Sequence, residues 1–376
     1  MSRTAQASLW RSCLPACALA SVLAFAPVGV PLSGTAWAAP ATRADARSPV
    51  LPALTQEVVT PIPAALSAPV TAQMVWLTAR AEAWLAALDT AQPHCPVVGS
   101  AGLVVSQAQR LPLVAQLYEL AAPPLSDSDK AATAPAEVPL LLELRPRPQA
   151  DKLAQGLMQN PELLALQQRL LDDTRAAVKR IRRHWQGDDS LADVWGVAEW
   201  IRATDILQGL WLTQQALMLA PEGWLAAPTS LAALDLASRL APACPVAHLL
   251  LAEARVQRNL PQLAIAAATE ALRLWPELGR ARYVRALAHW RLQQYALAED
   301  DFTVALAPQQ AVPPQGPELA RRLRARGAVR LVEQKTDGLC EDFSRACALG
   351  DCDGLAHARE QGLCLPELRK GQQEQQ

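Results

Sequence analysis

Beyond residue 32 the chain has no run of about 18 consecutive apolar residues, the length a membrane-spanning helix needs, so no span is expected there. Neither sign of charge is in excess: 35 basic against 36 acidic residues leave a net charge of -1. That balance removes the global electrostatic reason to expect nucleic acid as a partner. Cysteine never falls in a C-x-x-C pair, which argues against a dithiol redox centre and ordinary haem attachment. The five histidines, His94, His184, His248, His289 and His357, never take H-E-x-x-H spacing, and "VGSAG" at 98–102 lacks the order of a nucleophile elbow. A non-enzyme is expected, with no cofactor. Glycine is scarce, 17 of 376, and aromatics are 5%. What dominates instead is alanine and leucine, the composition of a helical protein.

The N-terminus places Arg3 and Arg11 ahead of an apolar stretch from about Leu14 to Leu32 that ends in Ala36-Trp37-Ala38. A basic region, an apolar region and a small-x-small site form a signal peptide over 1–38, with an uncleaved anchor as the competing reading. Export, to a periplasm or the exterior, is therefore expected. An oxidising compartment favours disulfides. Six cysteines then remain, an even number that suits a paired framework.

Residues 39–71, rich in Pro and Ala without helical periodicity, read as a disordered leader. A helical hairpin is expected over 72–122 and a linker over 123–150, inside which Leu140-Leu141-Leu142 suits either a short strand or a docking segment. Over 151–242 the pattern is helical again. Asn160 can cap a helix, Pro161 suits its first position, and Glu162 sits where the dipole favours an anion. That helix carries Arg175, Lys179, Arg180, Arg182 and Arg183 on one face, read as solvated.

Over 243–349 alanine-leucine helices end in prolines, and the step from Pro242 to Pro276 is 34 residues. Ala286, Tyr295, Ala298, Phe302 and Ala305 occur as small and aromatic packing positions in one unit, and Ala252 and Ala264 precede Ala286 and Ala298 by the same 34. Gly327 stands sixteen residues before Phe343 as Ala286 stands before Phe302, with Ala346 following; an insertion around Pro313, Pro314 and Pro317 separates these units. This stretch resembles the tetratricopeptide repeat, a 34-residue helix-turn-helix unit. The resemblance implies an all-α chain, a short α-solenoid of hairpins that cannot bury their apolar faces alone, closed by a capping helix and polar tail over 350–376. Weaker echoes make 72–122 and 151–242 degenerate copies of the same unit.

In that family the first helix of each unit lines a concave groove that binds a peptide or helical segment of another protein. The resemblance places Glu253 and Val256, then Arg280, Tyr283, Leu287, Trp290 and Arg291, then Arg321 and Arg324 on this surface. Tyr283 and Trp290 are two helical turns apart on one face. Arg and aromatic residues suit a binding hot spot, and arginines favour carboxylates. The competing reading makes Trp290 core and the arginines solubilising.

Four cysteines crowd into 340–364. If 341–349 is the last repeat helix, Cys340 and Cys347 lie roughly 10 Å apart along it and cannot bridge, since a disulfide wants Cα atoms about 5.5 Å apart. A helix returning antiparallel brings Cys352 level with Cys347 and Cys364 level with Cys340. That selects Cys340 with Cys364 and Cys347 with Cys352. A tetrathiolate zinc site is the rival, but the gaps of six, four and eleven residues are not those of a zinc knuckle, so no metal is expected. The segment also resembles cysteine-stapled cousins of this repeat that some bacteria secrete. Whether Cys95 and Cys244 pair stays open. The expectation is a non-catalytic adaptor of a bacterial envelope, its oligomeric state open; the alternative is an assembly component docking through its N-terminal helices and leader.

Overall fold

The computed structural model describes residues 54–61, 68–92, 107–121, 137–147, 150–185, 194–220, 225, 227–336 and 338–365. The segment expected to be a signal peptide, Cys95 and most of the polar tail lie outside them. Two compact units divide between Pro276 and Glu277.

The first unit contains β1 (Leu54–Pro61), α1 (Ala68–Ala91), α2 (Gln107–Leu117), β2 (Tyr118–Ala121), β3 (Glu137–Pro146), α3 (Ala150–Met158), α4 (Pro161–Trp185), α5 (Val194–Leu219), α6 (Pro228–Leu240), α7 (Pro245–Gln257) and α8 (Pro261–Leu274). Helices dominate, as the composition implies. The departure is an antiparallel sheet in the order β1-β3-β2, in which Leu54 faces Leu144 and Tyr118 faces Pro146. Part of the leader expected to be disordered is therefore strand β1. Part of the expected linker is its partner, and the run around Leu140–Leu142 is a strand. The pairing spans some eighty residues, so no local pattern announces it.

Helix α4 starts as its sequence demands: the Asn160 side chain accepts a hydrogen bond from the Leu163 N–H at 3.1 Å, with Pro161 in the first turn. Its basic face is not wholly solvated. Arg182 makes a bidentate pair with Glu82 of α1, and Arg175 reaches Asp89 of the same helix at 3.4 Å. Between α2, α4 and α5 the side-chain amides of Gln116, Gln167 and Gln214 form a buried chain, Gln167 Nε2 donating to Gln214 Oε1 at 2.7 Å. Buried amides need such partners, because an unmade hydrogen bond in the core costs about 1–3 kcal/mol. Trp84 and Trp211 meet edge to face at 5.7 Å, and the Arg80 guanidinium lies 4.4 Å from the Trp211 ring centre. Cys244 is buried and bridges no other described cysteine, and burial pushes its thiol up to about 12. At that value it is inert as a nucleophile.

The second unit contains α9 (Gly279–Arg291), α10 (Tyr295–Ala305), α11 (Gly316–Val332), α12 (Leu339–Ala348) and α13 (Asp353–Glu360). Here α9 packs on α10, α10 on α11, α11 on α12, and α12 on α13.

One turn recurs in both units. After α7, the Leu260 N–H donates to the Arg255 carbonyl at 2.8 Å and Asn259 takes φ 56°. After α9, Gln294 donates to His289 at 3.0 Å with Gln293 at φ 60°; after α11, Lys335 donates to Arg330 at 2.9 Å with Gln334 at φ 59°. These are Schellman ends, each tying the chain back to a helix carbonyl through one left-handed residue. Asn259, Gln293 and Gln334 are spaced by 34 and 41, the repeat step and that step plus the seven-residue insertion. Ala252, Ala264, Ala286, Ala298, Phe302, Ala305, Phe343 and Ala346 are all buried, and Tyr295 is half-buried. Gly327 is buried against the Phe343 ring, where a Cβ would stand 2.7 Å from Cε1. Small residues there let α11 and α12 approach, as the spacing of Gly327 and Phe343 implies.

Candidate functional site

The second unit is rich in arginine, and seven of its arginines fall into two sets. Arg285 on α9 makes a bidentate pair with Asp301 on α10, both contacts at 2.7 Å. Sixteen residues separate those partners, and the same sixteen separate Arg326 on α11 from Asp342 on α12, paired at 2.9 and 2.7 Å. Asp342 also accepts from Arg330 at 2.9 Å, and Arg330 and Lys335 share Glu299. These guanidiniums are spent in joining first to second helices. Parallel N–H···O bonds from a charged fork are the strongest hydrogen bonds available for the purpose.

The other set is Arg280 on α9 with Arg321, Arg322 and Arg324 on α11. Five residues carry a helix about 140° round, so Arg280 and Arg321 leave their helices on a different side from Arg285 and Arg326. The shared centre is Glu318, which accepts from Arg321 at 3.0 Å and from Arg322 at 3.3 Å. Burial pushes its carboxyl up, but Arg321, Arg322 and Arg280 outweigh burial and hold it below the ordinary glutamate range. Arg322 is fully buried; it donates to the Ala305 carbonyl at the end of α10 at 3.1 Å and lies 5.6 Å from the Tyr283 ring centre. A cation on the last carbonyls of a helix is also favoured by the helix dipole. Space for it exists because position 279 is glycine: a Cβ there would stand 3.0 Å from Arg322 Nη1 and 3.2 Å from Gln310. Gln310, in the segment between α10 and α11, is itself buried and donates to the Val304 carbonyl at 2.8 Å.

Of the residues expected on a binding surface, Arg280, Arg321 and Arg324 are brought together here. Tyr283 is adjacent but buried, packed on Phe302 of α10 at 5.6 Å, and burial pushes its hydroxyl pKa up. Trp290 shares that face and packs on Tyr295 at 5.4 Å, half-buried. The two aromatics thus lie on one side of α9, as their spacing implies, and that side meets α10. Leu287 is buried too, and burial of Arg291 lowers its pKa. Glu253 and Val256 are buried in the first unit. Glu318 and Arg322 are not among the residues expected on that surface, although Glu-x-x-Arg-Arg at 318–322 has the spacing of helical ion pairs.

At the far end of α11 lies the cysteine segment. Cys340–Cys364 and Cys347–Cys352 are both bridged, with Cα separations of 5.2 and 4.0 Å, which is the pairing that the antiparallel return selects. The first bridge packs with Leu339, Phe343, Leu355 and Ala358 in a small apolar cluster that seats α13. Gly350, at φ 99°, ends α12 in the left-handed conformation. Among the described residues, no group of three or more His, Cys, Asp or Glu could hold a metal ion, and no helix is long and apolar enough to cross a membrane. His248 and His289 spend a ring nitrogen on a local contact, with the Pro242 carbonyl at 3.0 Å and Gln294 at 2.7 Å. Compared with known families, curated proteins and solved structures, the chain matches none of them.

Proposed function

We propose that this chain is an exported, non-catalytic adaptor of the bacterial envelope whose helical hairpins are tetratricopeptide-like, stack as a short solenoid, and bind a segment of another protein on their first helices. The observation that carries the reading is the division of the arginines. Arg285, Arg326 and Arg330 are consumed in seams between helices. Arg280, Arg321 and Arg324 instead gather beside the buried Arg322 on α9 and α11, with Glu318 held among them and Asp351 and Asp353 reaching Arg324. A seam matches its charges pair by pair, whereas arginines clustered on one side of the first helices suit a partner that brings carboxylates. Export rests on the residues of 1–38.

The test is a crosslinking pull-down from native envelope with Arg280→Gln/Arg321→Gln against wild type. Loss of the captured partner with an unchanged helical spectrum is the expected result; equal capture would sink the reading. Tyr283 is unsuited to this experiment, because its removal opens a cavity against Phe302. A second reading, docking through the N-terminal region, draws support from β1, which among the described residues pairs only with β3 and so stands at an edge of the sheet. Removing residues 39–61, β1 included, separates the two: only the second reading loses the partner.

A further inference from the structure

The turn between α12 and α13 supplies two carboxylates to the arginine surface. Gly350 and Asp351 donate their N–H groups back to Cys347 and Ala346 at 2.9 and 3.0 Å, and the Cys347–Cys352 bridge closes over this turn. The residues flanking Cys352 both reach Arg324 Nη1: Asp351 at 3.1 Å and Asp353 at 3.4 Å. The stem of Arg324 is held from the same side, for a Cβ at Gly354 would lie 3.3 Å from Arg324 Cγ. One guanidinium of the cluster is therefore occupied by carboxylates from the chain's own cap, in a turn whose shape a five-residue disulfide fixes.

We infer that the Asp351-Cys352-Asp353 turn is an internal competitor that withholds Arg324 from an acidic segment of a partner, and that the Cys347–Cys352 bridge keeps the competitor seated. The inference rests on reading α9 and α11 as a docking surface. The occupant's chemistry is given by what already sits there, two carboxylates two positions apart in the chain. The two bridges divide the work. Cys340 and Cys364 are both half-buried against the Leu339, Phe343 and Leu355 cluster, so α13 stays attached; of the other bridge Cys347 packs on that cluster too, while Cys352 is exposed to solvent. A protein dithiol can reach that bridge at Cys352. Its thiolate attacks one sulfur to form a mixed disulfide and release the other cysteine, and its second thiol then attacks the mixed disulfide and displaces the cysteine still held in it. Two electrons and two protons pass to Cys347 and Cys352 as the dithiol becomes a disulfide. The turn then loosens and Asp351 and Asp353 leave Arg324.

Two measurements on the full chain test this. The first is the rate at which p-hydroxyphenylglyoxal modifies Arg324, read by peptide mass spectrometry. The second is the affinity for fluorescein-labelled hexaglutamate, read by anisotropy. In both Cys347→Ser/Cys352→Ser and Asp351→Asn/Asp353→Asn, Arg324 should react faster while Arg321 does not, and hexaglutamate should bind roughly threefold tighter, the scale of an exposed ion pair. Adding Arg324→Gln should abolish the gain. The asparagine pair keeps both bridges, so it answers the question even if the serine pair loosens α13. Unchanged Arg324 reactivity in the asparagine pair overturns the inference, as does faster reaction without tighter hexaglutamate binding. If Arg280→Gln/Arg321→Gln weakens hexaglutamate binding while the asparagine pair does not strengthen it, the competitor alone is overturned. If Arg280→Gln/Arg321→Gln has no effect in any of these backgrounds, the docking surface itself is overturned, and the inference with it.

Discussion

The hairpin α7–α8 and the hairpins α9–α10 and α11–α12 share a turn but not the chemistry that joins their helices. All three close with the same Schellman bond through Asn259, Gln293 or Gln334. Between helices, the later two place bidentate pairs, Arg285 with Asp301 and Arg326 with Asp342. Thirty-four residues before Arg285 and Asp301 stand Leu251 and Ala267, both buried and apolar. The backbone turn is the constant of the unit, and the seam accepts either kind of filling. That exchange is physically reasonable, because a well-packed apolar pair and a buried ion pair are often close in net stability, while half an ion pair is not.

The largest test removes half a pair. Asp342 is almost fully buried and answers both Arg326 and Arg330. Asp342→Ala should therefore destabilise the second unit by about 3–5 kcal/mol in urea unfolding. Converting the seam of α9–α10 to that of α7–α8 with Arg285→Leu/Asp301→Ala should cost far less than Asp301→Ala alone. A double variant as unstable as the single one would show that the seams are not interchangeable.

Next in size are the bridges. Cys340→Ser/Cys364→Ser opens a loop of 24 residues and Cys347→Ser/Cys352→Ser one of 5. Chain entropy puts the losses at about 3.5 and about 2 kcal/mol. Guanidinium unfolding of each variant should rank them in that order; the reverse would mean that the short turn, not α13, holds the cap. In the first unit, which has no bridge among its described residues, close approach does comparable work. A Cβ on Gly209 of α5 would meet the Ala241 nitrogen at 2.8 Å and the Ala237 carbonyl at 2.9 Å. Backbone cannot give way as a side chain can, so Gly209→Ala should cost about 1–3 kcal/mol in thermal unfolding.

What the sequence made legible follows the same division between local and distant. Bridges, caps and helix ends depend on rise per residue and on single positions, so Cys340–Cys364, Cys347–Cys352 and the Asn160 cap could be read in advance. The β1–β3 pairing depends on residues some eighty positions apart, and Pro61 and the Pro-rich surroundings of β1 mask its strand character. Periodicity correctly put Tyr283 and Trp290 on one side of α9. It has no means of saying which neighbour that side meets, and the neighbour is α10. The arginine cluster is half visible in the sequence: Arg280, Arg321 and Arg324 suit a surface, whereas Glu318 and Arg322, which organise it, look like an ordinary helical ion pair, and only the close approach of Arg322 to Gly279 sets them apart.

The smallest effect concerns pH and sets two acids of this cluster against each other. Burial raises the Glu318 carboxyl and Arg321, Arg322 and Arg280 more than reverse that, so its folded pKa lies below its ordinary 4.5. Its contribution is therefore complete above about pH 4.5 and fades as pH falls through the lower folded value. Asp351 is the opposite case. Burial raises it, Arg324 only partly compensates and Asp353 adds to the rise, so protonation relieves a penalty and acidification favours the folded cap. In an acid titration followed by circular dichroism, Glu318→Gln should flatten the loss of stability below pH 4.5 and Asp351→Asn should steepen it. If the two variants shift the acid limb in the same direction, Glu318 and Asp351 do not face the opposed environments described for them.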